Sequence, residues 1–377
     1  MRAKAHLSFH ESQPAQASGL LAWLNIDLPL LSGLLLLAGI GLVILYSAGD
    51  QEMGLLQKQL IRLGFGFTAM IVLAQIHPSN FRRWSPWLYG LGILLLLAVI
   101  LFGELGKGAQ RWLDLGFIRF QPSEMFKLTL PMLIAWYLAE EPLPPTPSRL
   151  GVASLLTLIP VLLIAKQPDL GTALLVGTGG AFALFLAGIS WRLIAFAGVG
   201  MAAMGPVAWY LMHDYQHQRV LTFLNPESDP LGTGYHIIQS KIAIGSGGIS
   251  GKGWLNGTQS HLEFLPERHT DFIFAVVSEE FGLVGIIALL TLYLFIILRG
   301  LYIATQAQDT FGRILAGSLS LVFFVYLFVN AGMVTGLLPV VGVPLPLISY
   351  GGTSLVTILA SFGMLMSIHM HKKLLPT

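Results

Sequence analysis

The chain has 377 residues, of which 54% are hydrophobic and 11% charged, with a formal net charge of +2 and a mean hydropathy of +0.72. A soluble globular domain carries about 25% charged residues, so this composition excludes one and indicates an integral membrane protein. Cysteine is absent, which excludes disulfides, thiolate metal sites and a cysteine nucleophile.

Crossing the hydrocarbon as a helix takes about 20 mostly apolar residues, because about 30 Å must be covered at 1.5 Å per residue. Stretches of that kind run over 28–48, 56–76, 86–103, 123–139, 149–165, 170–188, 191–212, 272–298, 311–338 and 351–370. They are continuous Leu/Ile/Val/Phe/Ala runs rather than short apolar–polar alternations. The sequence therefore predicts an all-α polytopic membrane protein of about ten transmembrane helices and not a barrel. The first run follows a mixed tail, 1–27, and exceeds the length of a signal h-region, so it is expected to be retained.

Lys and Arg fall mainly on one side of these spans. Arg2, Lys4, Arg82, Arg83, Arg149, Arg192, Arg299, Arg313, Lys372 and Lys373 stand against Lys58, Lys107, Arg111, Arg119 and Lys166. This excess predicts cytoplasmic N- and C-termini and puts the long connection 213–271, between the seventh and eighth spans, on the outer side. Within that connection HIIQSKIAI, residues 236–244, suits a short amphipathic element on the membrane surface. No internal repeat stands out, and 1–377 reads as a single membrane domain.

Polar motifs gather at the outer ends of the spans. In KGAQRW, residues 107–112, Arg111 offers a planar fork to phosphate oxygens and Trp112 suits the headgroup layer, either as a substrate contact or as an interfacial anchor. QPSEMFK, residues 121–127, starts a helix with Pro in its first turn. Glu124 and Lys127 share a face there, as a structural ion pair or as part of a site facing a wet cavity. KQPDLGT, residues 166–172, adds Lys166 and Asp169 at another outer helix end. GSGGISGKGW, residues 245–254, resembles a phosphate cradle but has Ser246 and Gly253 where a Walker A loop needs Gly and Ser/Thr, so a flexible turn is expected.

The stretch FLPERHTDFIF, residues 264–274, concentrates Glu267, Arg268, His269 and Asp271 at the mouth of an apolar run. Asp271 suits two roles that are compatible: an N-cap, or a general base at the outer interface. His261 and Glu263 nearby make no HExxH spacing, so zinc is not expected. No cofactor is required, although carboxylates permit a divalent cation, Mg²⁺ or Mn²⁺, shared with a substrate phosphate. SYGGTS, residues 349–354, reads as a structural turn whose glycines allow close packing.

Taken together, AQRW, QPSE with Lys127, QPDLGT, NPESDPLGTGYHIIQSKIAIGSGGISGKGW, LEFLPERHTDFIF and SYGGTS resemble the SEDS family of cell-wall polymerases, over roughly residues 25–370. The tract 225–274 is more similar to elongation-type than to division-type members. The resemblance implies a peptidoglycan glycosyltransferase in the bacterial cytoplasmic (inner) membrane, polymerising lipid II on the outer face and releasing undecaprenyl diphosphate. It implies that Asp271 is the essential acid, that Trp112 is the tryptophan of the family's first extracellular motif, and that Glu124, Lys127 and Asp169 are polar positions lining a central cavity; Arg111, by its own chemistry, is a further expected substrate contact. A class B penicillin-binding protein, supplying transpeptidase activity, and other elongation-complex proteins are the expected partners, with no nucleic acid. The competing readings are a flippase or transporter for the same lipid, and a non-catalytic scaffold that activates a transpeptidase.

Overall fold

A computed structural model of the chain describes residues 25–106, 109–114, 119–212, 214–229, 232–261 and 267–371. In chain order it forms α1 Leu28–Ala48, α2 Met53–Gln75, α3 Pro78–Phe102, β1 Glu104–Gly106, β2 Ala109–Asp114, β3 Arg119–Phe120, α4 Pro122–Leu138, α5 Pro147–Lys166, α6 Leu170–Leu186, α7 Trp191–Ala203 and α8 Gly205–Leu211. The long connection holds α9 Asp214–Leu224, a 3-10 turn Pro226–Ser228, α10 Thr233–Gly247 and α11 Thr258–His261. The chain continues through α12 Ile273–Thr305, α13 Thr310–Val334 and α14 Thr353–Met370.

Every apolar stretch expected to cross the membrane is helical, the stretch 191–212 as two helices, α7 and α8. Among the described residues six helices, α1, α3, α5, α12, α13 and α14, are long and apolar enough to cross a bilayer. The helices begin where local chemistry satisfies their first N–H groups. The Asp27 carboxylate accepts from Leu30 N at 2.9 Å and that of Asp309 from Gly312 N at 3.3 Å. Proline occupies the first turn of α1, α3, α4 and α5, where no N–H is needed.

The expectation of an all-α chain needs one correction. The connection 104–120 contains a three-stranded antiparallel sheet in the order β1-β2-β3, pairing Glu104 with Trp112 and Asp114 with Arg119. Pairing satisfies backbone groups that a bare loop would leave to water. The segment 236–244 is helical as expected, inside α10, and docks on α12. Ile237, Ser240 and Ala243 are buried there, and Ser240 Oγ donates to Val334 O at 2.8 Å.

The centre of the bundle is α13, whose apolar window is 78% buried against 22% for α3 at the periphery. It packs on α12, α6 and α4, while α14 packs along α2. At the end of the bundle where α1 begins, Asp27 joins three helices. Arg299 of α12 donates to it at 2.6 and 3.1 Å, and His369 Nε2 of α14 lies 3.4 Å away.

The contact between α2 and α14 depends on absent side chains. A Cβ on Gly363 would stand 2.4 Å from Met70 O, whereas one on Gly64 would meet nothing within 4 Å. Gly363→Val is therefore expected to cost about 1–3 kcal/mol by overpacking, and Gly64→Ala far less. Thermal melting of the two variants in detergent checks the contrast.

Candidate active site

Three helices begin around one polar cavity. Its lining includes Gln121, Glu124 and Lys127 from the start of α4, Asp169 and Thr172 from the start of α6, and Ser354 from the start of α14. Arg111 and Trp112 on β2 form another wall, and Gly342, Val343 and Pro344 close a further side. The volume of about 180 Å³ is many times the 10–15 Å³ that admits one water, so the cavity is wet enough for ionised side chains. Convergent helix N-termini direct their positive dipole ends toward it, which offsets negative charge in the cavity.

Each charged group is held by a neighbour. Lys127 Nζ lies 2.5 Å from Glu124 Oε1, and both residues are buried, at 5% and 6% exposure. The ammonium also sits 5.2 Å from the centroid of the Tyr326 ring. Glu124 Oε2 has no hydrogen-bond partner among the described residues. Asp169 caps α6, accepting from Thr172 N at 3.4 Å, and also accepts from Gln121 Nε2 at 2.8 Å. Arg111 Nη1 stands 3.8 Å from Asp169 Oδ1, and its Nη2 donates to Pro168 O. The structure thus brings together Arg111, Trp112, Glu124, Lys127 and Asp169; Lys107 and Gly108 of the same motif lie outside the described residues.

Asp271 is not itself among the residues that line this cavity; it stands at the edge, beside one of them. It is half-buried, and its Oδ2 lies 3.4 Å from where a Cβ on the lining residue Gly342 would stand. A φ of +74° suits Gly342 to glycine, and the missing side chain leaves that approach open. The expected N-cap role is corrected: α12 starts at Ile273 with Phe272 in the cap position, so Asp271 stands one residue before the cap. The turn lets the carboxylate face the cavity wall.

The backbone around Asp271 is fixed by residues that sequence reasoning missed or read as scaffolding. Asn330, at 0% exposure in α13, donates one Nδ2 hydrogen to Asp271 O at 2.9 Å and the other to Val343 O at 2.8 Å. Ser349 Oγ donates to Thr270 O at 2.6 Å, and Tyr350 N donates to His269 O at 2.8 Å. The remaining charges of this stretch have local tasks: Arg268 pairs with Asp50, and Glu267 accepts from Thr270 Oγ1 at 2.7 Å. A polar residue within an otherwise apolar span was the signal that could have found Asn330.

The glycine-rich segment 245–254 is neither a phosphate cradle nor a flexible turn. Its backbone wraps the kink of α12, with Lys252 N donating to Glu279 O at 3.0 Å and Gly253 N to Glu280 O at 2.9 Å. Lys252 Nζ pairs with buried Glu279 at 2.7 Å. Among the described residues no group of three or more His, Asp or Glu side chains that could hold a metal occurs, and Glu263 lies outside them.

A helical membrane protein whose ionised groups surround one cavity, with a carboxylate at its edge, defines the class. Residues 20–374 match the family described as cell cycle protein, FtsW/RodA/SpoVE. The peptidoglycan glycosyltransferase MrdB of Escherichia coli K12 is 56% identical over 352 residues, covering 93% of this chain and 95% of that protein. The peptidoglycan glycosyltransferase RodA of Treponema pallidum is 33% identical, covering 92% and 98%. A solved chain from a peptidoglycan synthase complex that coordinates polymerization and crosslinking superposes with a TM-score of 0.79 at 34% identity, covering 91% of this chain and 97% of that one. RodA of Thermus thermophilus superposes with a TM-score of 0.70 at 30% identity, covering 93% and 99%. The chain belongs to the FtsW/RodA/SpoVE family, the SEDS family that its motifs resemble.

Two stability outcomes follow from this geometry. Lys127→Met strands a buried carboxylate and is expected to cost about 3–5 kcal/mol, most of it recovered in Glu124→Gln/Lys127→Met. Asn330→Leu leaves two carbonyls unpaired, at about 1–3 kcal/mol each. Thermal midpoints of the purified variants check both.

Proposed function

We propose that this chain is a peptidoglycan glycosyltransferase of the elongation type that polymerises lipid II at the outer face of the bacterial cytoplasmic membrane. The observation that carries the reading is Asp271, held by its backbone against the wall of a cation-bearing cavity in a chain 56% identical to a peptidoglycan glycosyltransferase. The ten apolar stretches support about ten crossings, and the excess of Lys and Arg on the other side of the spans supports cytoplasmic termini and an outward-facing site.

In this mechanism Asp271 takes the proton from an acceptor sugar hydroxyl as that oxygen attacks the donor anomeric carbon. The carbon's bond to the diphosphate breaks, undecaprenyl diphosphate leaves, and the configuration inverts. Arg111 and Lys127 offset the charge developing on the leaving diphosphate, and the N-termini of α4, α6 and α14 add fixed dipoles. Trp112 lies beside these groups in the same lining, suited to cover a sugar face. A Mg²⁺ or Mn²⁺ ion carried on the diphosphate would meet Asp169 and the unpartnered Oε2 of Glu124. A class B penicillin-binding protein is the proposed crosslinking partner, supported by likeness to a chain solved within a complex that couples polymerization to crosslinking.

General-base assistance is typically worth about 10²–10⁴ in rate. Purified Asp271→Asn, folded and supplied with lipid II and the transpeptidase partner, is expected to lose that much of the glycan ladder seen on a gel. Other glycosyltransferases are excluded from the assay. Polymer made at the parental rate would remove Asp271 from the base role, and a wild-type chain that moves lipid II without polymerising it would favour the flippase.

A further inference from the structure

Arg62 stands in α2, about 14 Å along the axis from Met53 at 1.5 Å per residue. An arginine at such depth is costly unless it meets a partner or a polar space. Its guanidinium carbon lies 4.3 Å from the centroid of the Tyr350 ring. That stacking occupies the face of the guanidinium, whereas its five N–H donors lie in the plane. Among the described residues no acceptor bonds those donors and no carboxylate pairs with the charge.

Other cations near the spans have carboxylates: Lys127 has Glu124, Arg299 has Asp27, and Lys252 has Glu279. Lys58, four residues before Arg62 on the same face of α2, is exposed and also unpaired among the described residues. Like charges at this spacing repel, so the pair suits a shared anion.

The surroundings connect this anion-seeking pair to the reacting carboxylate. Tyr350 N donates to His269 O at 2.8 Å, and the rings of His269 and Tyr350 lie 5.9 Å apart. Gln59 Nε2, also on α2, donates to Ser349 O at 3.2 Å, and Ser349 holds Thr270 O, one residue before Asp271. A Cβ on Gly352 would stand 3.9 Å from Arg62 Nε, so the turn 349–352 runs close to the guanidinium. The cavity lining includes no residue of α2 among those described. The turn thus carries Tyr350, which stacks on Arg62, and leads directly into the start of α14, where Ser354 lines the cavity.

We propose that Arg62, with Lys58, forms a second anion site that takes the diphosphate of a second isoprenoid-linked substrate. The inference rests on the glycosyltransferase reading, because transfer between two lipid-linked chains brings two diphosphates to one membrane surface. The cavity supplies Arg111 and Lys127 for one, and the in-plane fork of Arg62 matches phosphate oxygens for the other.

Native mass spectrometry of the full chain in detergent, titrated with a polyprenyl diphosphate, counts the bound molecules. The wild type is expected to hold two, Arg62→Gln one, and Asp271→Asn two, with Arg62→Lys retaining the second at about tenfold weaker affinity. A neutral side chain is cheaper in the bilayer than arginine, so Arg62→Gln is expected to fold, and Arg62→Lys provides a charged control. In polymerisation assays Arg62→Gln is expected to raise KM for lipid II more than it lowers kcat. A wild-type count of one, or an unchanged count in Arg62→Gln, overturns the proposal. So does loss confined to phosphatidylglycerol in a parallel titration, which would make the site a headgroup anchor. Two Arg62-dependent diphosphates on a chain that forms no polymer would preserve the anion site while overturning the glycosyltransferase reading.

Discussion

Ionised groups survive inside a bilayer only when paired or facing water, and the buried Lys127–Glu124 pair meets that condition by both routes. The pair needs a polar hollow, and the hollow exists because several helices start there rather than pass through. α4 and α6 have 17 residues each, less than a full crossing at about 20. Their first turns leave polar ends around the space that Arg111 and Trp112 close from the sheet. The same shortening that weakens the apolar signal of these helices makes the site.

The carboxylate at the edge depends on a different device. Asp271 lies in a turn, where side-chain direction is set by backbone contacts rather than by helix geometry. Asn330 bonds the carbonyls of Asp271 and Val343 together, so the turn and one cavity wall move as one piece. Ser349 and Tyr350 fasten the preceding two residues. In the proposed mechanism preorganisation of this kind matters, because a misplaced base loses the advantage of proximity.

Hydrophobic runs made the helices legible, since a span of about 20 apolar residues has few alternatives in a membrane protein. The motifs carrying Arg111, Trp112, Glu124, Lys127 and Asp169 pointed to the outer helix ends, and these residues do converge. The small sheet escaped notice because strands of two to six residues carry too little periodicity to separate from loop. Asn330 and Arg62 were also passed over, each hidden in a run read for its apolar content. The clasp made by residues 245–254 was illegible for another reason: its partners are backbone carbonyls and N–H groups of α12, and no residue type announces them.

That clasp surrounds Gly282, where α12 leaves helical geometry with φ +61° and ψ −160°. Before this break, Phe272 through Glu280 are buried; beyond it, Leu283, Val284 and Ile287 are exposed at 49%, 61% and 55%. The N-terminal stub of α12 therefore belongs mechanically to the protein interior, while the long remainder has a lipid-facing side. Membranes of different thickness tilt or strain helices that answer to lipid. Here the clasp spans the break, bonding Glu279 O and Glu280 O before it and Leu283 N and Val284 N beyond it, so the depth of the Asp271 carboxylate is referenced to a buried, clasped stub rather than to the acyl chains around the rest of the helix.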